Sequence, residues 1–246
     1  MKVALLGDVH ANLPALEAVL ADARARGAEA IWHLGDFVGY GAFPEAVVRC
    51  LRAVQALSVI GNYDRKALKA KKGKPPTTKS PQKWLAFRWA HDNLSKESRK
   101  YLRSLPEQIR LEAEGKRVLL VHASPASTKE HLTPQTTDER LRELALVAAA
   151  DIVVCGHSHQ PFKRKVDGVW FINPGSVGRP DDGDPRASYA ILQLGPRLFQ
   201  VRHYRVAYDV ARAAAALRAQ KLPAAFAQMV LQGRSLAAVL PLTPQE

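Results

Sequence analysis

Short apolar segments alternate with helical segments along the first 62 residues. The apolar runs Val3–Leu6, Ala30–Leu34 and Leu57–Ile60 have the length of buried strands. Between them lie two predicted helices, 14–24 and 44–54, each with Pro in its first turn, and the first has apolar residues at amphipathic spacing. This alternation predicts βαβ units and a parallel sheet.

The same reasoning extends along the rest of the chain. It predicts helices at 82–93, 96–105 and 138–147, a strand at 152–155, hairpins at 109–121, 162–172 and 188–204, and a helical tail from Ala207 that breaks at Pro223. The sequence contains no internal repeat and no interdomain linker. We therefore expect a single domain over residues 1–246, with a basic and helical insertion at about 65–105 and a helical tail at about 207–246.

Polar residues follow the first three predicted strands. Asp8, Asp36 and Asn62 each come directly after a glycine at the end of a strand. In parallel sheets, ligands bind outside the carboxyl ends of the strands, where the loops converge. The periodicity alone therefore predicts that these three side chains gather at one place.

The ends of the predicted strands carry carboxylates, imidazoles and one amide. The candidate metal ligands are Asp8, His10, Asp36, Asn62, His122, His157 and His159. They are too many for one catalytic zinc, which usually has three protein ligands. They suit two neighbouring ions that share a carboxylate. Mixed oxygen and imidazole ligands favour manganese, iron or zinc over calcium, with magnesium and nickel as alternatives.

The positive charge of the chain is concentrated in one stretch. The 246 residues include 36 Lys and Arg against 23 Asp and Glu, for a net charge of +13. Eight of the basic residues lie in 65–83, the basic run, which contains no Asp or Glu. Such a patch attracts phosphate-rich partners because neutralised phosphates release counterions, which leaves nucleic acid open as a partner. The glycine and prolines in the run equally suit a solvated loop without a ligand.

Composition and cysteine usage indicate a globular cytoplasmic protein. The chain is 47% hydrophobic and 24% charged, and it has neither a long apolar stretch nor the pattern of a signal peptide. We therefore expect no membrane association. Cys50 and Cys155 lie far apart in apolar segments, which favours free thiols in a reducing compartment. The oligomeric state stays open.

Five ordered motifs resemble those of the calcineurin-like metallophosphoesterases. They are Asp8-Val9-His10, Gly35-Asp36, Gly61-Asn62-Tyr63-Asp64, His122 and Gly156-His157-Ser158-His159. The stretch Asn173–Gly178 also resembles a loop of small bacterial phosphodiesterases in this superfamily. The resemblance covers about residues 1–206. It implies an α/β fold of two packed mixed sheets flanked by helices, a four-layer sandwich with the metals at the strand ends.

The resemblance also implies how the predicted ligands are divided between two metal ions. Asp8, His10 and His159 would hold one ion, Asn62, His122 and His157 would hold the second, and Asp36 would bridge both. A hydroxide shared by the two ions would then attack phosphorus in line. Asp36 and Asn62 are thus assigned to catalysis together with Tyr63 and Asp64, the latter as a residue that orients a neighbour.

One motif position departs from the common family pattern. Many members of the family have His where this chain has Tyr63, and that His helps to protonate the leaving group. A phenol is a less well-matched acid near neutral pH, which places efficient phosphomonoester hydrolysis in doubt. Asn12 and Arg65 lie just beyond two motifs and are candidates for contact with substrate phosphate, although turn or surface roles suit them equally.

The leading hypothesis is a binuclear metal-dependent phosphoesterase that acts on phosphodiesters or nucleotides. The alternatives are a phosphomonoesterase or protein phosphatase, and a non-catalytic scaffold like the retromer subunit that keeps this fold. A nucleic-acid-binding protein with structural metals is a third alternative, and it predicts affinity that falls steeply with salt, without turnover. The complete set of seven ligands argues against the scaffold.

Overall fold

The computed structural model describes residues 1–70 and 80–240, and ten strands lie within them. They are β1 (Lys2–Leu6), β2 (Ala30–His33), β3 (Leu57–Ser58), β4 (Gln108–Ala113), β5 (Lys116–Val121), β6 (Ile152–Val154), β7 (Phe162–Val166), β8 (Val169–Asn173), β9 (Ala187–Gly195) and β10 (Leu198–Val206). The strands form two sheets, with the orders β10-β9-β1-β2-β3 and β4-β5-β6-β8-β7.

Both sheets are mixed, with parallel strands at their centres. In the first sheet β1 pairs with β2, and β2 with β3, in parallel, whereas β9 and β10 are antiparallel. In the second sheet β5, β6 and β8 are parallel, and the β4–β5 and β7–β8 pairs are antiparallel hairpins. The predicted fold class, an α/β fold with two mixed sheets, is confirmed.

Helices cover the outer faces of the two sheets. The described helices are α1 (Leu13–Ala25), α2 (Pro44–Ala53), α3 (Asn62–Lys69), α4 (Pro81–Asp92), α5 (Lys96–Ser104), α6 (Asp138–Ala148), α7 (Val210–Ala219), α8 (Ala224–Gln232) and α9 (Leu236–Val239). Apolar side chains of α1 and α2 pack on the first sheet, and those of α6 pack on the second.

The core between the sheets fixes how the strand ends face one another. Leu5 of β1, Trp32 of β2, Leu120 of β5 and Val154 of β6 belong to one buried cluster. This cluster packs the two sheets together, and residues that follow the parallel strands of both sheets meet on one side of the molecule.

The beginning of the basic run is helical rather than a loop. The loop interpretation is wrong for Arg65–Lys69, because α3 begins at Asn62, directly after the third strand. The Asp64 side chain accepts a hydrogen bond from the Gly61 N–H (2.9 Å) and so caps the helix. Lys66 and Lys69 lie in its last turn, where cations are favourable to the helix dipole. The part of the run at 71–79 lies outside the described residues.

The described part of the tail, up to residue 240, forms helices as predicted and packs on its own chain; residues 241–246 lie outside the described residues. The tail breaks at Pro223, after which α8 begins. Phe226 and Leu217 of the tail share a buried cluster with Tyr40, which lies in the loop after β2. No helix in the described part of the chain is long and apolar enough to span a membrane. Cys50 and Cys155 are free thiols, while the cytoplasmic location and the single-domain organisation stay predictions.

Candidate metal centre

The seven predicted ligands lie just after the parallel strands of both sheets. Asp8 and His10 follow β1, Asp36 follows β2, and Asn62 is the first residue of α3 after β3. From the second sheet, His122 follows β5, and the pair at 157 and 159 follows β6. The two sheets therefore contribute their polar residues to one edge.

Three of these side chains form a first buried group. The possible ligand atoms of Asp8, His10 and His159 all lie within 4.8 Å of one another. Nε2 of His10 lies 3.2 Å from Nε2 of His159, and the latter lies 3.4 Å from Oδ1 of Asp8. A cation placed among these atoms would meet one carboxylate and two imidazoles.

A second buried group shares Asp8 with the first. Asp8, Asp36 and His122 have their possible ligand atoms within 4.8 Å of one another. Oδ2 of Asp36 is 3.6 Å from Nε2 of His122 and 3.7 Å from Nε2 of His10, so it faces both groups. The Asn62 side-chain oxygen lies 3.0 Å from Nε2 of His122. The carboxylates of Asp8 and Asp36 are thus both placed between the two groups.

His157 lies beside the second group rather than within it. Its ring centroid is 5.0 Å from that of His122, and its backbone N–H donates to Oδ2 of Asp8 at 3.0 Å. Nε2 of His157 faces the carbonyl oxygen of Lys129 at 3.3 Å, so Nδ1 is the nitrogen available to another partner. Its assignment as a metal ligand stays a prediction.

The backbone at these positions is unusual for residues with side chains. Asp8, His10, Asp36, His157 and His159 all have left-handed conformations, with φ between 50° and 66°. Positive φ is uncommon for residues other than glycine and persists where the surroundings enforce it. Such clusters of strained backbone are found at ligand sites, where side chains must turn toward a shared point.

The electrostatics of the two groups suit divalent cations. Burial and the neighbouring Asp8 raise the pKa of Asp36 to about 8, because two buried carboxylates so close cannot both ionise easily. Oδ1 of Asp8 is buried and has no hydrogen-bond partner among the described residues. Burial lowers the pKa of His122, which favours the neutral imidazole that binds metals. Hydrogen-bond acceptors thus face one another at a place where a bound cation would neutralise their negative charge.

Hydrogen bonds on the far side orient two of the imidazoles. Nδ1 of His122 donates to the carbonyl oxygen of Leu34 at 2.7 Å, and Nδ1 of His159 donates to that of Arg179 at 2.8 Å. With Nδ1 as donor, Nε2 is the nitrogen of each ring that points into the centre, and it carries the lone pair when the ring is neutral. Asp181 also lies 3.3 Å from Nδ1 of His159, a contact that the sequence did not indicate.

Asp64 holds the loop that carries Asp36. Its carboxylate accepts hydrogen bonds from the backbone N–H groups of Asp36 (3.0 Å), Val38 (3.1 Å) and Gly61 (2.9 Å). Burial and the charge of Asp36 raise the pKa of Asp64 to about 7, and the hydrogen bonds from the Gly61 and Val38 N–H groups oppose this shift. These hydrogen bonds tie Asp64 to the loop that carries Asp36, and its assignment to catalysis as an orienting residue stays a prediction.

Tyr63 lies at the edge of the centre. Its backbone N–H donates to Oδ1 of Asp36 at 2.7 Å, which leaves Oδ2 directed toward the histidines. Its ring centroid is 4.8 Å from that of His10, and its hydroxyl lies 3.1 Å from the hydroxyl of Tyr40. The phenol therefore borders the same space as the predicted ligands.

The two predicted phosphate contacts have different surroundings. The Asn12 amide donates to the Gly178 carbonyl (3.0 Å) and the Tyr208 hydroxyl (3.1 Å), and its oxygen caps α1, so this side chain is engaged within the protein. Arg65 forms an ion pair with Glu107 and lines a groove that also includes Asn62 and His122. Contact with substrate stays a prediction for both residues.

Basic side chains surround the centre. The groove beside Asn62 is lined by Arg65, Lys66, Lys69 and Lys129. A second cavity, directly over Asp36 and Asn62, is lined by Lys66, Lys83, Lys129, His131, Arg179 and Asp181. Sequence reasoning missed Arg179 and Asp181, for which the only available signal was their position just after the stretch Asn173–Gly178.

Comparison with known proteins agrees with this architecture. The sequence model of the calcineurin-like phosphoesterase superfamily domain matches residues 1–196. An uncharacterized protein of Methanocaldococcus jannaschii is 34% identical over 94% of this chain and 98% of its own length. The phosphodiesterase YfcE of Escherichia coli is 27% identical over 78% of this chain and 87% of its own.

A solved structure agrees in both fold and sequence. The metallophosphoesterase from Sphaerobacter thermophilus has a TM-score of 0.80 and 32% identity, and the match covers 95% of this chain and 99% of that one. The similarity thus includes the helical tail beyond the residues that the family model matches. Taken with the residues gathered at the strand ends, these matches show that the chain belongs to the calcineurin-like phosphoesterase superfamily.

Proposed function

We propose that this chain is a binuclear metal-dependent phosphoesterase that hydrolyses phosphodiesters or nucleotides. The observation that carries the proposal is the pair of buried ligand groups that share Asp8. A single ion would need only one of these groups, whereas two ions close together need carboxylates that face both. Asp36 satisfies that requirement as well, since its Oδ2 lies near histidines of each group.

The donor set supports manganese, iron or zinc. Asp8, His10 and His159 would hold one ion, Asn62, His122 and His157 would hold the second, and Asp36 would lie between them. Divalent ions bound there would polarise the phosphoryl oxygens and supply a nucleophile at neutral pH. The side chains around the centre would supply the other functions of the site.

Those side chains orient the ligands and the substrate. Asp36 is fixed through the Tyr63 N–H and through Asp64, and His122 and His159 are fixed through backbone carbonyls. The Tyr63 hydroxyl borders the centre and is a hydrogen-bond donor for a leaving oxygen. The basic walls attract an anionic ester and concentrate it at the centre.

The basic groove favours a diester with an extended anionic part. Arg65, Lys69 and Lys129 line it next to Asn62, so the groove continues from the centre along the surface. A substrate with further phosphates would neutralise several of these cations, as nucleotides and nucleic acids do. The similarity to a protein named as a phosphodiesterase supports the same substrate class.

The first test is manganese-dependent hydrolysis of bis-p-nitrophenyl phosphate beside p-nitrophenyl phosphate. We expect turnover of the diester, since leaving-group protonation matters less for p-nitrophenolate than for a poor leaving group. Removal of the metal by a chelator should abolish turnover, and manganese should restore it. Hydrolysis of the monoester alone would contradict the diester proposal, and silence on both esters with several metals would favour a scaffold.

Replacement of Tyr63 with His should improve hydrolysis of monoesters with poor leaving groups. An imidazole has a pKa closer to neutrality, and general acid catalysis typically contributes about 10²–10⁴-fold. We expect kcat for a phenyl phosphate to rise about tenfold or more, as measured in parallel with Tyr63→Phe. An unchanged rate in Tyr63→His would show that leaving-group protonation is not limiting.

A further inference from the structure

Arg179 lies over the candidate metal centre. Its side chain is 14% exposed and lines the cavity above Asp36, Asn62 and His157. Its own carbonyl oxygen accepts the hydrogen bond from Nδ1 of His159, which fixes the backbone of the arginine next to a predicted ligand. A largely buried guanidinium therefore lines the space where an ester would meet the metals.

The hydrogen-bonding capacity of this guanidinium is only partly used. One Nη donates to Oδ2 of Asp181 at 3.2 Å, and that carboxylate also lies 3.3 Å from Nδ1 of His159. Nε of Arg179 is buried without a hydrogen-bond partner among the residues that the structure describes. Asp181 and Tyr63 are the side chains that pair with this guanidinium. A guanidinium has five N–H donors and stays charged in proteins, so its donors outnumber these two partners and an anion in the cavity can accept from the rest.

The orientation of Arg179 is set by aromatic side chains. Its guanidinium carbon lies 4.7 Å from the centroid of the Tyr40 ring, a cation–π contact. Tyr40 is held in turn by Phe226 of α8, with ring centroids 5.0 Å apart, and by the hydroxyl of Tyr63. The tail helix α8 thus contacts, through Phe226, the ring that packs against the guanidinium beside the centre.

We propose that Arg179 binds the non-bridging oxygens of the substrate phosphoryl group and so orients the ester over the metals. The proposal deepens the proposed function and rests on it. The planar fork of a guanidinium matches two oxygens of a phosphate, which a lysine ammonium cannot reproduce. Asp181 and Tyr40 act as positioning residues, because each contacts the guanidinium from a different side.

The test compares Arg179→Lys and Arg179→Met with the native protein, all loaded with manganese. Calorimetric titration with inorganic phosphate should show Kd raised about 10- to 100-fold, the range expected for a charge-assisted hydrogen bond. KM for bis-p-nitrophenyl phosphate should rise by a similar factor. Metal content after gel filtration should match that of the native protein, because Arg179 contacts His159 through its backbone alone.

Arg88→Lys is the matched control. The Arg88 side chain has nearly the same exposure, 13%, and is paired with Asp92 on α4, but it does not line the cavity over the centre. We expect its phosphate affinity to equal that of the native protein. Tyr40→Leu, which removes the ring under the guanidinium, should raise Kd for phosphate less than Arg179→Met does, and Tyr40→Phe should have little effect.

The outcomes separate this proposal from the proposed function. Native phosphate affinity in both Arg179 variants would overturn the role of Arg179 and leave the phosphoesterase proposal standing. If the Arg179 variants lose metal while their metal-loaded fraction keeps native phosphate affinity, Arg179 only supports His159. That result would also overturn the role of Arg179 in substrate binding. Weaker phosphate binding with no turnover in the native protein would count against the proposed function alone.

Discussion

Replacement of Asp36 with Asn is expected to lower diester turnover by about 10³-fold or more, as for the loss of a principal electrostatic group in an active site. Oδ2 of Asp36 faces His10 at 3.7 Å and His122 at 3.6 Å, so one substitution removes a negative charge from both groups. The amide also donates hydrogen atoms where a cation needs electron pairs. Stopped assays of bis-p-nitrophenyl phosphate hydrolysis, together with metal analysis, measure both effects.

Asn is a better choice than Ala for separating chemistry from folding. Asp36 has φ of 57°, a conformation that Asn tolerates better than most residues. The Asn side-chain oxygen can still accept the hydrogen bond from the Tyr63 N–H, which Asp36 accepts at 2.7 Å. The variant should therefore fold, and its loss of activity should reflect the missing charge.

Asp167→Asn provides the control for the Asp36 variant. Asp167 also has positive φ (47°), but it lies on the turn between β7 and β8, outside both ligand groups. This variant should keep native turnover and native metal content. Near-native activity in Asp36→Asn would contradict the assignment of Asp36 as the carboxylate shared by the two ions, because no bridge between them could then depend on its charge.

Replacement of Gly61 with Ala should destabilise the protein by about 3 kcal/mol or more, at the upper end for overpacking. A Cβ on Gly61 would lie 2.1 Å from both the backbone nitrogen and Oδ1 of Asp36. The backbone conformation of Gly61 is extended, with φ of −91°, so the cost comes from space and not from strain. Relief of the clash requires β2 and β3 to separate at their ends.

The same substitution should also remove metal-dependent activity, since it displaces Asp36 and Asn62 together. Urea denaturation measures the free energy of unfolding, and Gly195→Ala is the matched control. A Cβ on Gly195 would lie 3.5 Å from Cβ of Leu198, an ordinary contact, so we expect that variant to unfold at a near-native urea concentration. Native stability in Gly61→Ala would show that the strand ends are less closely packed.

Local sequence pattern was sufficient to predict the elements that carry the first sheet's ligands. The apolar runs before Asp8, Asp36 and Asn62 are β1, β2 and β3, and the periodicity of parallel strands predicted that their ends meet. That prediction required no long-range information, because parallel neighbours joined by helices present the same end to the same edge.

Long-range packing decided features of the structure that the local sequence pattern could not predict. The loop interpretation of Arg65 was wrong because Asp64 caps a helix there, and Asp64 does so while bonding to Asp36 and Val38 in a distant loop. The Asn12 amide bonds to Gly178 and Tyr208, residues far away along the chain. No local pattern indicates such partners.

The sequence by itself thus determined the strands, the helices other than α3, and which residue types stand at each strand end. The tertiary structure decided that His122 and His159 of the second sheet face Asp8 and Asp36 of the first, and that Arg179 lies above them. The physical reason is that local and long-range interactions determine different features of the fold. Periodicity records how each segment buries its own apolar face, whereas the relation between sheets depends on how their faces pack together in the shared core.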